Sequence, residues 1–170
     1  MSRIARIFPE GIPYHIAQRG NGRQQLFFKD GNYLLYLDLL KSSCQQARLA
    51  IWAYCLMPNH IHLIAVPERA AAMAQVMART SADFARYYNL QKRSCGHVWQ
   101  ARYHSTPLDE SHLWRAMAYV ERNPVRADLA AYAEEYQWSS ARLLMKATAE
   151  WVDLTPWQAR YDWPRWQKAL

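Results

Sequence analysis

Polar and apolar residues are interleaved from Ile12 to Arg19, with the β-prone Tyr14 and Ile16 among them, and Arg19-Gly20-Asn21-Gly22-Arg23 has the composition of a turn. The pattern predicts a strand followed by a loop. From Asp30 to about Arg48 the apolar positions Tyr33, Leu34, Leu37 and Leu40 recur at helical spacing, with Asp30 suited to the start of the helix. Two β-like runs follow, Leu49 to Leu56 and His60 to Val66, joined by Met57-Pro58-Asn59, a connection short enough for a hairpin. An Ala- and Met-rich helical pattern runs from Glu68 to about Gln91, Gly96 breaks it, and Val98 to Pro107 reads as a further strand.

The predicted order is β-α-β-β-α-β. This is the α+β, ferredoxin-like arrangement, in which helices cover one face of an antiparallel sheet and leave the other open to a ligand. Beyond it, Asp109 or Ser111 can cap a helix expected to stop near Asn123, because Pro124 disfavours helical geometry in the residue before it. The rest reads as shorter helices and loops. At 170 residues one core is expected rather than two. The expected division is a single domain over 1–146 and a Trp-rich C-terminal tail over 147–170.

Composition narrows the function. With 51% apolar and 21% charged residues the chain has a globular profile, and its net charge of +7 points to a polyanionic partner. The charge is uneven. Arg69, Arg79, Arg86, Lys92, Arg93 and Arg102 face only Asp83 between residues 69 and 108, whereas Asp109, Glu110, Glu134 and Glu135 come later. A basic surface is implied, with nucleic acid as the expected partner. Cys44, Cys55 and Cys95 are odd in number and form no C-x-x-C pair, so neither a disulfide framework nor a cysteine zinc site is indicated. Arg3 and Arg6 are not followed by a signal-type apolar run and no stretch is long enough to span a membrane; a reducing, cytoplasmic location is expected.

The sharpest chemical feature is His60-Ile61-His62. Side chains alternate faces along a strand, so both imidazoles point the same way and can grip a metal ion together, while Ile61 enters the core. Taken alone, the pattern also fits two polar residues on a solvated strand face. A catalytic cation needs a third protein ligand, and the helix ending near Asn123 offers Tyr119 and Asn123, four residues apart on one face. The chemistry that fits is attack of a tyrosine hydroxyl on a phosphodiester whose charge a metal ion neutralises, leaving a covalent phosphotyrosine. There is no Gly-rich phosphate loop, G-x-S-x-G elbow or H-E-x-x-H helix.

Ile12-Pro13-Tyr14-His15-Ile16-Ala17-Gln18-Arg19-Gly20-Asn21, the segment from Ala53 to Leu63, Gly96-His97-Val98-Trp99-Gln100-Ala101-Arg102-Tyr103, Tyr119 to Ala127 and Tyr136 to Ser140 together resemble the REP-associated tyrosine transposases. These are a branch of the single-tyrosine HUH transposases. The resemblance runs from about Arg3 to Arg142. It implies His60, His62 and Asn123 as metal ligands, Mg²⁺ or Mn²⁺ as the cation, and Tyr119 as nucleophile. The implied substrate is single-stranded DNA folded into imperfect hairpins, cut to leave a 5′-phosphotyrosine and a free 3′-hydroxyl, with the enzyme working as a monomer. On this resemblance Arg19, Arg23, Trp99, Arg102, Tyr103 and Arg126 are expected to contact DNA. Two other readings stay open: a replication initiator or relaxase with the same histidines and tyrosine, and a non-catalytic RNA- or DNA-binding module on the same fold.

Overall fold

The computed structural model describes residues 7–146 and 151–170; Arg3, Arg6 and the expected boundary at Ala147 lie outside them. The chain forms β1 (Tyr14–Arg19), α1 (Asp30–Ala47), β2 (Leu49–Met57), β3 (His60–Pro67), α2 (Ala72–Lys92) and β4 (His104–Pro107), followed by α3 (Glu110–Arg126), α4 (Ala141–Lys146), α5 (Thr155–Gln158) and α6 (Trp163–Gln167). The sheet order is β2-β3-β1-β4, and every neighbouring pair is antiparallel. This is the ferredoxin-like α+β core expected from the pattern. The β2–β3 hairpin turns at Pro58-Asn59, with Met57 opposite His60.

Helices α1 and α2 pack together on one face of the sheet. Ile16, Ile61 and Leu63 enter a core shared with Tyr36, Leu40, Val76, Met77 and Phe84, all at most 1% exposed. Burying such side chains contributes about 1.5–3 kcal/mol each. The opposite face is only partly open, because α3 crosses β2 and β3 there and buries Leu113, Met117 and Val120. Strand β3 is therefore buried on both sides, which explains its unbroken apolar run from Leu63 to Val66. The second face, expected to be left open to a ligand, is open only over β1 and β4.

Three boundaries differ from expectation, the first being that of α2, which begins at Ala72 rather than Glu68. The fourth strand is only His104–Pro107, not Val98 to Pro107. Residues 98–102 instead form a loop held by Asn21 N–H donating to Val98 O, Gln100 N–H to Arg19 O and Gln18 Nε2 to Ala101 O. Helix α3 runs to Arg126, past Pro124. Proline removes the N–H that would bond Val120 O, and the Asn123 side-chain amide replaces it, donating to Tyr119 O at 2.7 Å and Val120 O at 3.4 Å.

The outer edge of β2 is closed rather than left to pair with another chain. Leu56 N–H donates to Trp138 O, Ser140 N–H to Tyr54 O and Asp153 N–H to Ile51 O. Trp157 and Trp166 are buried, and Trp166 lies edge-on to Trp114 of α3. Among the described residues no helix is long and apolar enough to cross a membrane.

Candidate active site

The strand register builds the site. Across the sheet His104 pairs with Ala17, Ala17 with His62, and His62 with Cys55, while Arg19 pairs with His60 and His15 with Ile64. Paired residues share a face, so His15, His60, His62, Arg19 and His104 all emerge on the side that α3 half covers. The small side chain of Ala17 leaves space between the histidines and the edge strand. A cleft of about 410 Å³ opens there, lined by His60, His62, Arg19, Arg102 and His104 among others.

His60 and His62 stand side by side with ring centroids 5.0 Å apart. Each uses Nδ1 in a hydrogen bond. His60 Nδ1–H donates to Asn59 Oδ1 at 2.6 Å, which leaves its Nε2 as a lone-pair nitrogen. His62 Nδ1 lies 2.9 Å from His15 Nε2, and His62 Nε2 is buried with no hydrogen-bond partner. The tautomer that donates from Nδ1 to His15 makes that buried Nε2 a bare lone pair, as metal-binding histidines held by an outer partner require. Burial, reinforced by the Arg19 guanidinium, pushes His60 down to about 4. Burial followed by His60, His15 and Arg19 pushes His62 down to about 3, and burial lowers His15 as well. All three rings are neutral at pH 7, the state that ligates metals.

Tyr119 reaches this cluster from α3. Its ring lies edge-on to His62 at 5.6 Å and to His15 at 5.9 Å, and the residue is 40% exposed. Helix α3 starts where it does because the Asp109 side chain accepts from His112 N–H at 2.9 Å. Arg126, two turns beyond Tyr119, lays its guanidinium over the phenol ring, 5.2 Å from the centroid. Among the described residues no group of three His, Cys, Asp or Glu side chains forms a metal cluster. A third protein ligand would therefore be of another kind. Asn123, on the face of α3 that carries Tyr119, turns its amide nitrogen onto its own helix, so its Oδ1 is the atom left to serve.

The family model of the IS200-like transposases matches residues 10–123, a span from β1 to Asn123 that takes in every histidine of the cluster and Tyr119. The chain belongs to this family. The comparison with curated proteins gives no match. Among solved structures, a REP-associated tyrosine transposase bound to a REP hairpin shares the fold with a TM-score of 0.66 and 17% identity, over 91% of this chain and 94% of that one. A protein described as a transposase from Deinococcus radiodurans aligns with a TM-score of 0.49 and 18% identity, over 71% of this chain and 97% of that one.

In this IS200-like transposase the structure gathers His60, His62, Tyr119 and Arg126 into one site, with Arg19 and Arg102 along the cleft. Arg23 sits in the exposed loop after β1. Trp99 and Tyr103 are placed otherwise than expected. The Trp99 indole donates to Ser81 O at 2.9 Å and its ring packs on Tyr36 and Phe84; Tyr103 is buried against Phe8. Both rings, expected at a DNA contact, here anchor the loop to the body of the protein. His15 is the member that sequence reasoning missed. Its signal was present: if Ile16 points into the core, His15 points to the other face.

Proposed function

We propose that this transposase is a metal-dependent single-strand DNA endonuclease and strand transferase that works through a 5′-phosphotyrosine formed on Tyr119. The observation that carries the reading is the contact of the half-exposed Tyr119 ring with His62, whose Nε2 is buried and unpartnered. His60 Nε2, His62 Nε2 and Asn123 Oδ1 would hold the cation. Imidazole donors suit Mn²⁺ better than the strictly oxygen-seeking Mg²⁺. Bound there, the cation would neutralise charge on the scissile phosphate and polarise its phosphorus–oxygen bonds.

The chain's own residues supply the rest. Arg126 fixes the Tyr119 ring and favours the developing phenolate by its charge. Arg19 and Arg102 hold the DNA backbone in the cleft, with Arg23 further along it. Tyr119 Oη attacks phosphorus, the 3′ oxygen departs, and the phosphotyrosine stores the bond for rejoining. REP-type hairpins are the proposed substrate, in keeping with the hairpin bound by the structural neighbour. His60, His62 and Tyr119 meet within one chain, which supports a monomeric site.

The test is incubation with labelled single-stranded hairpin DNA and Mn²⁺ or Mg²⁺, resolved on a denaturing gel. The expected result is a covalent protein–DNA band that needs the metal and disappears in Tyr119→Phe. Tight binding without an adduct under either metal would replace this reading with that of a binding module.

A further inference from the structure

Leu113, Met117 and Val120 turn one side of α3 into the core, and the side opposite them carries Arg115, Tyr119, Arg122 and Arg126, all exposed. Their spacing of four, three and four residues keeps them in one sector of the helix, about 60° wide at 3.6 residues per turn. The row is about 16 Å long at 1.5 Å per residue. Tyr119 thus stands inside a line of arginines on the solvent side of its own helix.

These guanidiniums are not used by the fold. Elsewhere, Arg79 and Arg86 pair with Asp83, Arg69 donates to Ala47 O at 2.9 Å, and Arg160 pairs with Glu110, so much of the basic charge is engaged with the protein itself. Arg115 and Arg122 have no ion-pair partner among the described residues, and Arg126 rests on the Tyr119 ring. The carboxylates of α3 cannot neutralise the row, since Glu110 is held by Arg160 and Glu121 is fully buried. Arg122 and Arg126, four residues apart, repel each other. A polyanion laid along the row removes that repulsion, and guanidiniums are the side chains best shaped to hold phosphate oxygens.

From this placement we infer that the strand cut by Tyr119 lies along α3, with Arg115 holding the phosphate on one side of the scissile phosphate and Arg122 the phosphate on the other. The inference rests on the function proposed above. Contacts to two flanking phosphates read no base; they fix the register of the strand, and so decide which phosphodiester stands at the Tyr119 hydroxyl. Arg115 and Arg122 are therefore positioning residues. Their track is separate from Arg19 and Arg102, which line the cleft.

The experiment uses hairpin DNA carrying a single uncharged methylphosphonate at one or other phosphate next to the scissile one, whose position is located by the wild-type adduct on unmodified DNA. Binding is measured with Tyr119→Phe, which leaves the DNA uncut, alone and combined with Arg115→Gln or Arg122→Gln; both arginines are exposed and glutamine is a good helix former, so the fold is kept. Expected is that each methylphosphonate weakens binding to Tyr119→Phe about tenfold, that Arg115→Gln makes the protein indifferent to one of them, and that Arg122→Gln makes it indifferent to the other. Each glutamine should also lower the slope of log affinity against log salt by about 0.7. Losses from DNA and protein that simply add, or both variants indifferent to the same phosphate, would overturn the inference and leave the tyrosine chemistry standing. A wild type that forms no adduct removes both.

Discussion

At His62 the two ring nitrogens are in opposite situations, since Nδ1 meets His15 at 2.9 Å while Nε2 is buried without a partner. A buried polar atom left unpaired costs about 1–3 kcal/mol, and ligation of a cation removes that cost. His15 acts through His62 by fixing its ring. His15→Ala is expected to weaken Mn²⁺ binding by about 10- to 100-fold, with His15→Gln, which keeps an acceptor, recovering part of the loss. Titration calorimetry with Mn²⁺ checks this, and equal affinity in His15→Ala would remove His15 from the metal site. The pair His60 and His62 was legible in the sequence because strand periodicity is local. The part played by His15 was not, since it depends on β1 lying beside β3. The directions of Trp99 and Tyr103 were equally hidden, because an aromatic residue in a loop carries no mark of which side it faces.

Helix α3 shows how one element serves both fold and site. Its start is written in Asp109, but its end is not readable from Pro124. The Asn123 amide satisfies the Val120 carbonyl that proline leaves open, so the helix continues to Arg126 and brings that guanidinium over Tyr119. On the proposed function Asn123 would have two duties on one side chain, the amide nitrogen for the helix and the oxygen for the metal. They separate by substitution. Asn123→Asp keeps an oxygen and loses the donor; it is expected to lose about 1–3 kcal/mol of stability in denaturant unfolding while still binding Mn²⁺. Asn123→Ala loses both. Metal binding that vanishes in Asn123→Asp as completely as in Asn123→Ala would argue against ligation through this oxygen.

At the scale of the whole molecule, the order of strands and the helical layer were readable from periodicity, but the docking of the last residues was not. Their tryptophans find partners only in three dimensions. Glu121 of α3 marks the junction: it is fully buried, accepts from Ser140 Oγ at 2.8 Å and from Trp166 Nε1 at 2.7 Å, and so joins α3, the strap along β2 and α6. Burial pushes its carboxyl up to about 7, against the opposing pull of the Trp166 and Ser140 hydrogen bonds. The folded state therefore keeps a proton that the unfolded chain loses near pH 4.3. The associated stability is fully present below that pH and is lost as pH rises to about 7, by about 3 kcal/mol. Other groups titrate in this window, so the measurement is the difference in melting temperature between Glu121→Gln and wild type. That difference should move in favour of the Gln variant as pH rises from about 4.5 to about 7 and then level off; a flat difference would count against a buried protonated Glu121. The wall of the cleft opposite the histidines has a different character from this junction. It is the short run Gln100-Ala101-Arg102, tied down on either side by Trp99 and Tyr103, while His15, His60, His62 and Tyr119 sit on β1, β3 and α3. Those three residues can therefore be exchanged for others without moving the strands and helix that carry His60, His62 and Tyr119.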